Sequence, residues 1–156
     1  MQAEFVNPII EATEYVVLSA LRTGIKVGQV FVRTAPSNVG GVGICLGITG
    51  KIRGQVVFSM KKSVACEIAS KMMMQTVEEL DEVSRSAVTE LANMIMGRSA
   101  ATLFEQGLKI DITPPAFLLG ENLSYLGTSK VKTLCIPFIF ENGSLMEAQV
   151  FVARDE

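Results

Sequence analysis

The chain has no histidine and no tryptophan among its 156 residues, and aromatic residues make up only 6% of it. Without histidine, neither a Ser-His-Asp triad nor a Cys-His pair can form, and a zinc site is a poor hypothesis. The three cysteines, Cys45, Cys66 and Cys135, are odd in number and form no CxxC motif. We therefore expect reduced, buried thiols in a cytoplasmic protein.

Long apolar runs and clusters of positive charge are also missing. No run approaches the roughly 18 residues of a membrane-spanning helix, and no basic segment precedes an apolar one at the N-terminus. The net charge is −2, and the lysines and arginines are scattered along the chain. We therefore expect neither membrane insertion nor a nucleic-acid partner. Apolar residues make up 49% of the chain, which favours a subunit interface.

Hydrophobic periodicity predicts a mixture of helices and strands within one domain over residues 1–156. The first helix is predicted to begin at Asn7-Pro8, with Asn7 as its N-cap, and a strand is predicted over 27–34. Two hairpins are predicted, one through Gly50-Lys51 and one through Asn142-Gly143, the second as a type I′ turn. Because few strands are separated by single helices, we predict an α+β fold with helices packed on a largely antiparallel sheet. No sequence repeat is evident.

The longest predicted helix runs from Asp81 to Gln106 and is followed by a glycine. One face is apolar and is expected to lie in the core; it consists of Val88, Leu91, Ala92, Ile95, Met96, Ser99 and Leu103. The opposite face carries Ser86, Glu90, Asn93 and Gly97. A carboxylate and an amide therefore lie one turn apart, beside a position that has no side chain. This arrangement is typical of a docking face.

Because histidine is absent and no metal-binding cluster is evident, Glu90 and Asn93 remain as the candidate catalytic residues. The E-x-x-N spacing alone is a weak signal, because a solvated helix face is its more common explanation. Glu4 and Asn7 show the same spacing. For that second pair, the predicted capping role of Asn7 is a sufficient explanation.

Three further features distinguish the pair on the longest helix. Ser86 precedes Glu90 by four residues, Gly97 follows Asn93 by four, and Pro115 follows Asn93 by twenty-two. The arrangement Ser86-x3-Glu90-x2-Asn93 with this later proline resembles the active-site signature of the CheC/CheX/FliY chemotaxis phosphatases. The resemblance extends to the opening helix after Val6-Asn7 and to residues 47–50, 80–82 and 111–115, and so covers nearly the whole chain. One signature helix rather than two is typical of the CheX members.

The resemblance implies hydrolysis of the aspartyl phosphate on a response regulator such as CheY. It implies that Asn93 orients the attacking water, that Glu90 pairs with the regulator's active-site lysine, and that Ser86, Gly97 and Pro115 support the site. The phosphorylated regulator would supply the Mg²⁺ ion, so no cofactor or metal of the chain's own is expected. The resemblance also implies a homodimer joined through its sheets. The alternative is a non-catalytic module that binds a phosphorylated regulator or a flagellar switch component.

Overall fold

The computed structural model describes residues 3–33, 40–120 and 132–154. Within these ranges, three helices and eight strands follow one another along the chain. Their bounds are α1 Ala3–Leu21, β1 Ile25–Val27, β2 Phe31–Arg33, β3 Gly41–Gly50, β4 Ile52–Lys61, α2 Lys62–Met73, α3 Glu82–Glu105, β5 Ile110–Ile112, β6 Ala116–Leu119, β7 Thr133–Phe140 and β8 Leu145–Arg154.

The described strands form one antiparallel sheet, which confirms the predicted α+β fold. The strand order is β1–β7–β8–β4–β3–β5, with β2 also pairing with β7 and β6 with β3. Alternate residues of β3, namely Val42, Ile44, Leu46 and Ile48, are buried in the same core as residues from all three helices. The helices therefore cover one face of the sheet, as the two-residue period of the strand requires. None of the described helices is both long and apolar enough to cross a membrane.

The fold is an interleaved repeat that the sequence does not display. A helix, two short strands and a hairpin occur as α1, β1, β2, β3–β4, and again as α3, β5, β6, β7–β8. Strands β1 and β2 pair with β7, whereas β5 and β6 pair with β3, so each half completes the sheet of the other. The two halves meet where β4 pairs with β8. Helices α1 and α3 therefore occupy corresponding places in the two halves.

Helix α1 begins before Asn7, so the predicted start of this helix is wrong. The helix as described runs from Ala3 to Leu21, and Phe5 and Ile9, one turn apart, are both fully buried in the core, so the helical burial pattern begins before Asn7. Pro8 lies early in the helix, where its missing N–H removes only one backbone hydrogen bond. Asn7 is accordingly an exposed helical residue and not an N-cap.

The predicted strand over 27–34 is divided into β1 and β2, and the break lies opposite a proline. Pro137 on β7 has no N–H to donate, but its carbonyl accepts a hydrogen bond from the N–H of Gly28 at 2.8 Å. The ladder resumes where Phe31 pairs with Cys135. Residue 34 lies outside the described residues.

Both predicted hairpins are confirmed, but the type I′ turn through Asn142-Gly143 is wrong. A type I′ turn requires a positive φ at both central residues. Here Gly143 has φ +88° while Asn142 is not among the described residues with positive φ. The Asn142 side-chain oxygen instead accepts a hydrogen bond from the N–H of Ser144 at 2.9 Å. The longer turn closes where the N–H of Phe140 donates to the Ser144 carbonyl at 2.9 Å.

Candidate active site

Helix α3 is fixed at both ends, within one residue of its predicted bounds. At the N-terminus, an Asp81 carboxylate oxygen accepts the N–H of Ser84 at 2.8 Å, and the Ser84 hydroxyl accepts the N–H of Asp81 at 2.7 Å. The Ser84 N–H, followed by its hydroxyl, lowers the pKa of the Asp81 carboxyl. At the C-terminus, Gly107 has φ +92° and the N–H of Leu108 donates to the Leu103 carbonyl at 2.9 Å. These hydrogen bonds satisfy backbone N–H and C=O groups in the terminal turns and stabilise both ends of α3.

The apolar stripe of α3 sets the rotation of the helix about its own axis. All seven predicted core positions are buried: Val88, Leu91, Ala92, Ile95, Met96, Ser99 and Leu103. Ser99, the polar member, donates its hydroxyl to the Ile95 carbonyl at 2.8 Å. Because this stripe faces the core, the residues on the other side of the helix face outward.

The structure places the predicted site residues of α3 on that outward face. Ser86, Glu90 and Gly97 are exposed, and Asn93 is half-buried. Within the described ranges, neither the Glu90 carboxylate nor the Asn93 amide has a hydrogen-bond partner. The Ser86 hydroxyl donates to the Glu82 carbonyl at 3.0 Å, so it belongs to the helix surface. The carboxylate and the amide are therefore available to a partner molecule.

Pro115 lies in a groove between α3 and β6, and Glu90 lines the same groove. The segment before Pro115 is fixed to β3, because the N–H of Gly47 donates to the Thr113 hydroxyl at 2.8 Å. The N–H of Thr113 returns a hydrogen bond to the Gly47 carbonyl at 3.0 Å. Asn93 lies one turn beyond Glu90 and is not among the residues that line the groove. The fold thus brings the distant proline beside the helix that carries the predicted pair.

Two residues of this groove, Arg85 and Phe117, were not identified from the sequence. The guanidinium carbon of Arg85 is 5.6 Å from the centroid of the Phe117 ring, and both residues line the groove. No local pattern indicates this contact, because it depends on β6 pairing with β3, where Phe117 lies opposite Ile44. Arg85 therefore places a cation in the same groove that Glu90 lines.

Helix α1 does not carry an amide at the corresponding place. Most of the buried positions of α1 coincide with those of α3 when 79 is added to each residue number of α1. By this alignment Glu11 corresponds to Glu90. With this offset, α1 has Glu14 in the place of the amide and an exposed leucine, Leu18, in the place of the glycine. Repulsion between a second carboxylate and a phosphoryl group makes this face a poor match for the one on α3.

The groups on α3 suit an anionic, phosphoryl-bearing partner. An amide carbonyl accepts a hydrogen bond from water, while the amide N–H groups donate to anionic oxygens. Among the described residues, no cluster of three or more histidine, cysteine, aspartate or glutamate side chains is arranged to hold a metal ion. Together, the sheet-backed helix and its outward-facing pair, exposed Glu90 and half-buried Asn93, are typical of a class of protein that presents polar side chains to a partner.

Comparison with known proteins identifies this class. The family model described as chemotaxis phosphatase CheX matches residues 42–139. The CheY-P phosphatase CheX of Thermotoga maritima is 33% identical over 130 residues, which are 79% of this chain and 80% of that protein. The chain therefore belongs to the chemotaxis phosphatase CheX family, and the resemblance predicted from its sequence is confirmed.

Solved structures share the same fold over almost the whole chain. A CheC-like superfamily protein from Shewanella sp. PV-4 has a TM-score of 0.86 at 22% identity, covering 98% of this chain and 99% of that one. A chain from the CheX–CheY–BeF3–Mg²⁺ complex of Borrelia burgdorferi has a TM-score of 0.79 at 27% identity, covering 97% of this chain and 98% of that one. The second structure records a CheX protein bound to CheY together with Mg²⁺.

Proposed function

We propose that this protein hydrolyses the aspartyl phosphate of a CheY-like response regulator. One observation carries the proposal: this CheX family member holds the Glu90 carboxylate and the Asn93 amide, neither with a hydrogen-bond partner among the described residues, on the outward face of a helix that is capped at both ends. A phosphatase acting on such a regulator would work in the cytoplasm, and the free thiols Cys45, Cys66 and Cys135 are consistent with a reducing compartment.

The proposed mechanism uses Asn93 to position the attacking water. An aspartyl phosphate is already reactive, so most of the catalytic effect comes from holding a water in line with the leaving carboxylate. The Asn93 carbonyl accepts a hydrogen bond from that water, while its NH₂ group faces a phosphoryl oxygen. The water oxygen bonds to phosphorus as the bond to the aspartate oxygen breaks, and the water proton passes to the released phosphate. The regulator regains its carboxylate.

In this proposal Glu90 anchors the complex at the partner's phosphorylated site. Its carboxylate pairs with the active-site lysine of the regulator, a charge-assisted contact that fixes the position of α3. The proposal assigns the Mg²⁺ ion to the regulator, and the Borrelia complex of a relative contains CheX, CheY, BeF3 and Mg²⁺ together. Because one turn of rigid helix joins Glu90 to Asn93, fixing the first residue places the second.

Phosphate release with limiting protein tests the proposed activity. A CheY-like regulator is phosphorylated with a small phosphodonor, the donor is removed, and the chain is added at one part per hundred. The proposed phosphatase releases many equivalents of phosphate for each chain present. A non-catalytic binding module releases none above the spontaneous rate, and that result would overturn the proposal.

Replacing Glu90 with alanine is expected to lower kcat/KM for the phosphorylated regulator by about tenfold, because the contact that positions α3 is lost. Both binding and rate should weaken, since the amide is then less well placed. Glu11→Ala is a matched control, because this exposed glutamate occupies the corresponding place on α1. Equal loss in both variants would indicate a general effect of charge and not a specific pair.

Replacing Gly97 with alanine is expected to raise the stability of the protein while lowering its activity toward the regulator. An added Cβ would meet nothing within 4 Å, and alanine favours a helix interior over glycine by about 1 kcal/mol. Urea denaturation should therefore show a more stable protein. If the partner's backbone approaches α3 here, the same methyl group should lower kcat/KM severalfold. A variant that is both more stable and fully active would show that Gly97 does not contact the partner.

We also propose that the protein forms a homodimer through its sheet. On the face of the sheet away from the helices, Phe31, Ile139 and Leu145 are between 36% and 42% exposed. Exposed apolar side chains on one face are typical of a subunit interface. Sedimentation at micromolar concentration should give the mass of two chains, and a monomer alone would contradict the dimer without affecting the phosphatase proposal.

A further inference from the structure

The outward face of α3 carries more than the candidate active-site residues. Positions along this face follow one another in alternating steps of four and three: Val83, Ala87, Glu90, Met94, Gly97, Ala101 and Phe104. Val83 is 62% exposed, Met94 38% and Phe104 63%. The outward face of a helix on a globular protein is normally polar, so a row of exposed apolar side chains indicates a contact surface.

The geometry of the proposed reaction identifies the regulator as the partner that covers this row of apolar side chains. If Asn93 reaches the partner's phosphorylated site, the partner's body necessarily lies against the neighbouring turns of the same helix. Phe104 follows Asn93 by eleven residues, which is about 16 Å along the helix axis. A globular domain of about 100 residues has a radius of gyration near 13 Å, so one domain spans this distance. Gly97 and Ala101 lie in between and hold no long side chain that would keep the partner away.

A fixed cation lies at the edge of the same face. The guanidinium carbon of Arg98 is 3.5 Å from the centroid of the Tyr15 ring on α1, which restrains its orientation. A phosphoryl group and the oxygen ligands that hold Mg²⁺ make the partner's site rich in negative charge. Arg98 therefore has the sign of charge that complements such a partner, and arginine, tyrosine and phenylalanine are enriched in protein interfaces.

We infer that the outward face of α3 beyond the catalytic pair is the docking surface for the phosphorylated regulator, with Phe104 as its principal anchor and Arg98 as a charged rim contact. This inference rests on the proposed phosphatase activity and adds the residues that determine affinity for the partner. In this inference, the contact that Phe104 makes with the regulator is the same before and after the chemical step. It should therefore set how tightly the regulator binds and leave the rate of hydrolysis in the complex unchanged.

Phe104→Ala tests the inference through separate measurements of KM, kcat and binding. We expect KM for phosphorylated CheY to rise about tenfold while kcat stays within about twofold, as for a truncated interface anchor. The Kd for CheY loaded with BeF3⁻ and Mg²⁺, measured by calorimetry, should rise by the same factor. Met74→Ala is the matched control, because it removes another exposed apolar side chain (85% exposed) that follows α2.

Each other outcome overturns the inference in a different way. Unchanged KM and Kd in Phe104→Ala, with turnover intact in the wild type, would reject the anchor while leaving the phosphatase activity standing. A variant that keeps its Kd for CheY but loses self-association in sedimentation would show that a second copy of this chain covers the face. A wild-type protein that neither binds nor dephosphorylates CheY would reject the proposed function and the docking surface together.

Discussion

Replacing Asn93 with alanine is expected to lower kcat for regulator dephosphorylation by about 100-fold or more, which corresponds to about 3 kcal/mol of barrier. The variant loses the group that holds the attacking water, and no other amide lies at the same place on the helix. Asn93 is half-buried on the outward face and has no hydrogen-bond partner among the described residues, so the fold should not depend on it. The measurement is single-turnover loss of phosphate from CheY at saturating phosphatase.

The chain provides its own matched control for this experiment. Asn7 also follows a glutamate by three residues and is exposed on a helix, so Asn7→Ala makes the same chemical change on α1. That variant should retain the wild-type kcat. Comparable losses in both variants, or full activity in Asn93→Ala with an unchanged melting temperature, would contradict the assignment of Asn93.

Local patterns allowed the candidate site to be predicted from the sequence. The start of α3 is set by the capping residues Asp81 and Ser84, and its end by Gly107; these signals act within a few residues. The buried stripe follows directly from the helical period. The positions of Glu90 and Asn93 on the outward face could therefore be predicted, whereas their proposed roles rest on the resemblance to the family.

Long-range pairing explains what could not be predicted from the sequence. The interleaved repeat depends on which strands pair, and the two halves share a pattern of buried positions rather than amino-acid identities. The contact between Arg85 and Phe117 depends on the same pairing. The wrong start of α1 has a related cause, because the burial of Phe5 against the core outweighs the local capping signal of Asn7.

The division of the predicted strand shows the same limit on a smaller scale. The residues of 27–34 predict a single strand, and only Gly28 within this segment is of a type that favours a bulge. The break lies at Gly28, opposite Pro137, which is more than a hundred positions away on β7 and lacks the N–H that would continue the ladder. A strand is therefore defined by the hydrogen-bonding capacity of its neighbour as much as by its own residues.

Replacing Arg33 with alanine is expected to lower the free energy of unfolding by about 3 kcal/mol, because it leaves a buried carboxylate without its cation. Glu147 is 2% exposed; its side chain accepts hydrogen bonds from the Arg33 guanidinium and from the Gln149 amide. Burial, followed by the charge of Glu147, also raises the pKa of the neighbouring Cys135 thiol to about 12. Urea denaturation of the wild type and the variant at pH 7 measures the loss.

A double variant separates the ion pair from simple loss of packing. Arg33→Met with Glu147→Met removes both charges and keeps apolar volume, so most of the lost stability should return. If the double variant is as unstable as Arg33→Ala, packing and not the unpaired charge explains the effect. Because Arg33 and Glu147 lie on the face of the sheet away from α3, the folded single variant should keep its kcat. Asn93→Ala should show the reverse, which is a loss of kcat without a loss of stability. This pair of opposite results would indicate that Asn93 acts in catalysis and that the ion pair of Arg33 with Glu147 acts in stability.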